Sequence, residues 1–175
     1  MPLFALGFRA ALPQRGSDSI RQEIIGDLAC ELLCGESSPL YRRLYEENCI
    51  DSGFSAGYES YKGTALLVFT GDSFSPLRVR DEILAECRRQ LDAGLDEQAF
   101  LRLKKSAMGR RIRELDSFES LCCRVCANFF EGADYYAFPS LYGAVTLEDV
   151  RAFLEETVRP ERMALSVVEP KKEKM

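Results

Sequence analysis

The sequence predicts an α+β fold, a two-layer sandwich in which helices cover one face of a mostly antiparallel sheet. Three observations carry this. Short alternating or apolar runs lie at the two ends and in the middle, and longer stretches with helical spacing separate them. The two middle runs are joined by a connection too short for a crossover, so they pair antiparallel. The chain has 175 residues, enough for one domain that buries roughly 70% of its unfolded surface, and it contains no internal repeat.

The first element is a strand in the apolar stretch Leu3 to Ala11, bounded by Pro13. Ser17-Asp18-Ser19 follows, and Gln22 stands three residues after Ser19 in capping-box spacing. Ile20, Ile24, Leu28 and Leu32 then recur every fourth residue, flanked by Ile25, Ala29 and Leu33, which gives a helix stopped at Gly35. Ser38 is the expected N-cap of a second helix, with Pro39 at the first helical position, where its missing N–H costs nothing. Leu40 and Leu44 share one face of it, and so do Tyr41 and Tyr45.

After Asn48 the period changes. Phe54, Ala56 and Tyr58 alternate with small or polar residues, which predicts a strand from about Ser52 to Tyr61. Lys62-Gly63 is the predicted turn, and "TALLVFTG" the buried strand paired back across it. Ser75-Pro76 repeats the cap-then-proline signal for a helix carrying Ile83, Leu84, Cys87 and Leu91, ending at Gly94. Asp96 opens a helix through Phe100, Leu103, Ala107 and Ile112 to about Leu115. Asp116 with Glu119 reads as a fresh cap for a helix to about Phe130. Thr146 and Asp149 form a capping box for a helix with Val150, Phe153 and Leu154, and after Pro160 "RMALSVVEP" is the closing strand. The sequence thus predicts one domain over residues 1–170 and a disordered charged tail over residues 171–175, the whole being the C-terminal part of a longer protein.

Composition excludes several functions. No apolar run approaches the roughly 18 residues that cross a bilayer. The net charge is −5 with arginines scattered among acids, which argues against a nucleic-acid groove. Seven cysteines, an odd count without scaffold spacing, fit a reducing cytoplasm. There is no histidine at all, so a serine or cysteine nucleophile would lack its usual base. No Gly-x-Ser-x-Gly elbow or phosphate-cradling glycine pattern occurs.

Three clusters admit two readings each. Cys122, Cys123 and Cys126, with Cys30 and Cys34, can pack as small hydrophobes within helices or make a four-thiolate zinc site; packing is the preferred reading. A redox Cys-x-x-Cys would sit at the start of a helix, not in its middle. The basic run Arg102 to Arg113 reads as a solvated helix face, with an anionic partner as the alternative. The aromatic run Phe129 to Gly143 reads as a connection between helices, pinned to the core or offered to a partner.

Five stretches stand in an order that resembles one known family: "GESSPLYRRLYEENCIDSGFSAGYES", "TGDSFSPLRVRDEIL", "LDEQAFLRLKKSAMGR", "VTLEDVRAFLEE" and "RMALSVVEP". They are similar to the C-terminal, non-catalytic domain of insulinase/pitrilysin-type zinc peptidases, also called mitochondrial-processing-peptidase-like, over about Leu3 to Pro170. The resemblance implies the LuxS/MPP-like metallohydrolase fold. It also implies that the zinc sits in a separate catalytic domain, on an inverted His-x-x-Glu-His motif and a further Glu. For this chain, which lacks histidine, the resemblance therefore implies no cofactor of its own and no enzymatic activity on its own.

In such families the second domain often supplies an Arg and a Tyr to the substrate backbone. Here Tyr45 stands where that Arg is expected and Ser52 where that Tyr is, within Leu44 to Gly53, so the segment keeps the architecture without the guanidinium's charge. The resemblance implies a wall of a peptide chamber, with Tyr45, Ser52, Phe54 and Tyr58 as substrate-contact candidates. The partners it implies are a zinc-bearing peptidase domain, in the same or a separate chain, and an unfolded peptide. A scaffold module that binds only a folded partner is the alternative.

Overall fold

In the computed structural model of the chain, residues 1–61 and 63–171 are described. Lys62 of the predicted turn and residues 172–175 of the predicted tail lie outside the described residues. Strand β1 (Leu3–Arg9) forms where side chains alternate, with Phe4, Leu6 and Phe8 inward and Leu3, Ala5 and Arg9 outward. Helix α1 (Ser17–Cys34) buries Ile20, Ile24, Ile25, Leu28 and Leu33. The expected box on Ser19 and Gln22 does not form. Gly16 is the N-cap instead, at φ 89°, a conformation open to glycine and strained for other residues. The Ser19 hydroxyl donates to the Gly16 carbonyl at 2.7 Å, one turn inside the expected role.

Helix α2 (Pro39–Glu46) starts as predicted, with the Ser38 hydroxyl accepting from the Tyr41 N–H at 3.1 Å. Strand β2 (Ser55–Tyr61) begins three residues later than the alternation suggested. The Asp51 carboxylate accepts from the Gly53 N–H at 2.9 Å and holds that stretch in a turn. Strand β3 (Thr64–Asp72) follows, then helix α3 (Pro76–Ala93). Ser75 is the N-cap but makes no side-chain cap bond, and its N–H donates to the Ser73 hydroxyl at 2.9 Å.

Helix α4 (Glu97–Glu114) is capped by Asp96, as expected. Helix α5 (Phe118–Phe130) is capped by Ser117 rather than Asp116, whose own N–H still closes a turn onto the Arg113 carbonyl at 3.2 Å. Where a connection was expected there is a 3₁₀ turn at Tyr135–Ala137 and a short helix α6 (Phe138–Ala144). Helix α7 (Leu147–Thr157) has the predicted capping box in full, with Asp149 accepting from the Thr146 N–H at 2.8 Å. Strand β4 (Met163–Val168) closes the fold.

The sheet order is β2-β3-β1-β4 with every pair antiparallel. Leu6 lies between Phe69 and Leu165, and Tyr58 opposite Leu67, so the inward parity of all four strands faces one core. The helices pack on that face, with α1 against β2, α4, α6 and α7. This is the two-layer α+β sandwich that the sequence predicts. Among the described residues no helix is long and apolar enough to cross a membrane.

Two of the cluster readings need correction. Cys30, Cys34, Cys49 and Cys87 are buried, but Cys122, Cys123 and Cys126 are exposed and do not pack. Helix α5 buries no residue fully; Leu121 and Val125 lean on the core and the three cysteines fall on the outward side. The basic run is only partly a solvated face. Arg111 is buried, bonded to Glu23 at 2.7 Å and set over the Tyr135 and Phe138 rings. Lys104 donates to the Gly143 and Val145 carbonyls at 3.1 and 2.6 Å, capping the C-terminal end of α6. In the aromatic run, Tyr135, Phe138 and Tyr142 are core residues while Phe129, Phe130 and Tyr136 stay exposed.

Candidate functional site

The predicted contact residues separate into two groups. Tyr45 is 49% exposed, and its ring lies nearly parallel to that of Tyr41, centroids 6.0 Å apart. The i, i+4 spacing on α2 brings them together. Tyr41 meets Phe54 at 6.0 Å and Phe54 meets Phe4 at 6.4 Å, so an aromatic ladder runs from the surface into the core. Arg43 bonds to Glu82 at 2.8 Å and Arg78 pairs with Glu47, which fastens α2 to α3 and holds the ladder's outer end. Ser52 is exposed in the turn before β2.

Phe54 and Tyr58 are only 8% and 9% exposed. Their strand parity turns them under the helical layer, where Tyr58 meets the Phe153 ring edge-on at 6.1 Å. Of the four predicted contacts, the side chains turned outward are therefore Tyr45 and Ser52. What β2 offers beyond them is its backbone, since it forms one edge of the sheet.

The more telling surface is the sheet's other face, which no element among the described residues covers. Register places Ala164, Gly7, Val68 and Gly57 side by side across four strands, with Ser166, Ala5, Thr70 and Ser55 in the next row. The Ser55 and Thr70 hydroxyls bond across the strands at 3.0 Å. A Cβ built on Gly7 or Gly57 would meet nothing within 4 Å. Neither glycine is required by packing inside the chain, and both weaken a strand interior. A concavity of about 900 Å³ lies over this face, lined by Ala5, Gly7, Leu66, Val68, Ala164 and Ser166. The alternation in "LFALGFR", with Phe4, Leu6 and Phe8 on one parity and the small Ala5 and Gly7 between them, already carried this signal.

Neither surface carries the means of hydrolysis. The donors do not fit zinc: the chain has no histidine, and among the described residues no three Cys, Asp or Glu side chains converge as a metal site. A bare, small-residue face and an aromatic ladder can bind and position, not activate water.

Comparison with known proteins agrees with this. Residues 3–107 match the family model described as the peptidase M16 inactive domain. YmfH of Bacillus subtilis strain 168, described as an uncharacterized zinc protease, is 26% identical over 171 residues, which are 97% of this chain and 40% of that protein. The chain thus spans well under half of that relative's length. Among solved structures, one described as an M16-like peptidase from Alicyclobacillus acidocaldarius superposes with a TM-score of 0.89 at 28% identity, covering 97% of this chain and 41% of the other. The inactive peptidase domain of a zinc protease from Bordetella parapertussis shares the fold at a TM-score of 0.80 and 15% identity, covering 100% of this chain and 94% of that one.

Proposed function

As this chain belongs to the family of peptidase M16 inactive domains, we propose that it works by shape, completing a peptide chamber with a zinc-bearing domain that packs on the open face of its sheet. The observation that carries this is the uncovered row Ala164, Gly7, Val68 and Gly57, smooth enough for another element's backbone to approach closely. Covering it would bury Leu66 and Val68, which are half-buried in the chain alone. The zinc-bearing domain lies in the same polypeptide or in a separate one, and supplies the metal and the water-activating Glu.

The chain's own part toward substrate is to hold it. Tyr45 and Ser52 present a stacked ring and a hydroxyl, and β2, as an edge strand, offers its backbone to an extended peptide. We place this work in a reducing cytoplasm, where all seven cysteines persist as the free thiols seen here.

Co-expression with a zinc-bearing M16 domain tests the reading, with Gly7→Arg as the blocking variant. Gly7→Arg should fold alone, because its Cβ has open space, yet lose the complex and the complex's zinc-dependent cleavage of an unfolded peptide. A Gly7→Arg complex as tight and as active as the parent would sink the proposal.

A further inference from the structure

Helix α5 carries a surface that the chamber reading does not use. Its inner side leans on the core through Leu121 and Val125. Its one cationic residue, Arg124, is engaged by Glu23 at 3.1 Å and Glu114 at 2.9 Å. The outer side is apolar almost throughout. Phe118, Phe129 and Phe130 are 82%, 74% and 73% exposed, and Cys122, Cys123 and Cys126 stand exposed among them. Glu119 is the only charged residue among the exposed positions of the helix.

The order of these residues matters as much as their exposure. Phe118, Cys122, Cys126 and Phe130 follow one another at every fourth position, so they make a single ridge along the helix. The ridge reads the same in both directions about Arg124: a ring, two small thiols, a ring. Laid antiparallel on a copy of itself, it sets each Cys122 opposite a Cys126 and each Phe118 opposite a Phe130. Ridges of this spacing interlock at a crossing of about −50°, the commonest class for packed helices. Axes that cross so are closest at the centre and part toward the ends. Small thiols at the centre, with a ring about 9 Å away on either side, match that shape.

We propose that α5 is the contact between two copies of this chain, which cross antiparallel on the ridge Phe118, Cys122, Cys126 and Phe130 about a two-fold axis near Arg124. The area suffices. At roughly 200 Å² a ring, the three phenylalanines leave about 450 Å² bare, and the thiols add to it. Two copies together bury more than the roughly 1,000 Å² that a specific interface must clear. That is the small end of the range, so association is reversible and depends on concentration. A lipid surface is the poorer occupant, because a helix lying on it displays Lys or Arg along its flanks, and Arg124 is already committed to Glu23 and Glu114. A strongly charged partner would find a single carboxylate to meet.

Sedimentation velocity of the chain in reductant, from about 1 to 100 μM, tests this. The reductant excludes a dimer made by disulfides. The expected result is a rise from the 19.8 kDa chain to a species of twice that mass. Phe118→Glu should weaken the dimer at least about tenfold. It should still fold, because the position is exposed and a carboxylate suits the first turn of a helix. Phe74→Glu, at an equally exposed ring outside α5, should leave the dimer unchanged, as should Gly7→Arg on the open sheet face. Maleimide labelling of Cys122 and Cys126 should be fast in dilute solution and several-fold slower once the dimer forms. A chain that stays monomeric across the range overturns the proposal, as does a dimer that Phe118→Glu leaves intact, that Phe74→Glu or Gly7→Arg abolishes, or that leaves the labelling unchanged. So does a Phe118→Glu chain that loses a co-expressed zinc-bearing M16 domain while the parent never self-associates, since the face then belongs to that domain. The dimer and the covering of the sheet are thus read by different variants.

Discussion

Gly26 of α1 and Tyr58 of β2 touch so closely that a Cβ on the glycine would stand 2.5 Å from both the Cβ and the Cγ of the tyrosine. This contact sets the height of the helical layer above the sheet. In an exposed helix, replacing glycine by alanine gains up to about 1 kcal/mol. Here the sign should reverse. Gly26→Ala is expected to destabilise the fold by about 1–3 kcal/mol, read as a lower urea midpoint, and any gain in stability would contradict the packing described.

Asp27 gives stability a pH dependence. Burial, and then the Glu23 charge, push its carboxyl up to about 6 in the folded protein, above the ordinary 3.8, so the folded state holds the proton more tightly between those values. Stability should therefore fall as pH rises from about 4 through 6 and stay low above that. Asp27→Asn removes the charge and should be the more stable protein at pH 7.5, by up to about 3 kcal/mol. The advantage should vanish near pH 4. Urea titrations of both proteins at the two pH values check it.

Arg111 is 5% exposed and holds Glu23 while lying over two aromatic rings. Arg111→Ala should destabilise at the low end of the roughly 3–5 kcal/mol typical of a broken buried pair, because Glu23 keeps Arg124. Arg111→Lys should rescue little of it, since an ammonium reproduces neither the planar stack nor the fork. Thermal melts of the two variants beside the parent give the comparison.

The cysteines should sort by location. Cys122, Cys123 and Cys126 are exposed, and Cys30, Cys34, Cys49 and Cys87 are buried. Burial raises Cys87 to about 12 and takes Cys30 and Cys34 well above the ordinary thiol range, leaving almost no thiolate there near neutrality. A thiol reagent at pH 8 should label three sites quickly in the native protein and the other four only on unfolding.

Thr146→Ala should cost about 1 kcal/mol, because it breaks a box in which Thr146 and Asp149 satisfy each other's N–H groups. Chemical denaturation would register it, with Thr146→Ser restoring most of the loss.

Much of this fold could be read from the chain, because most of its elements are coded locally. Ser38-Pro39, Asp96 and Thr146 with Asp149 each mark a helix start with their own side chains, and each does so here. The starts that were misplaced depend on neighbours instead. Gly16 takes a backbone angle that serine would resist, and Asp51 holds Ser52 to Phe54 out of the strand. Burial was the harder inference. Arg111 is inside because Glu23, Tyr135 and Phe138 arrive from three other elements, and Cys122 is outside because α5 only leans on the core. The same distance in sequence hid Asp27, whose setting exists only once α1, α4, α5 and β2 have met.

Strand β1 sits inside the sheet, and its neighbour on one side is β4, remote from it along the chain, with Leu3 opposite Val168. On a ribosome, β1 must wait until every element between them is made before β4 can join it, with that edge bare for seconds. Folding should accordingly be slow for a domain of this length, since a pairing so remote along the chain is late to form. Removing Met163–Val168 would strip more than a frayed end: it would lay open the hydrogen-bonding edge of a central strand and invite a neighbouring molecule to fill it.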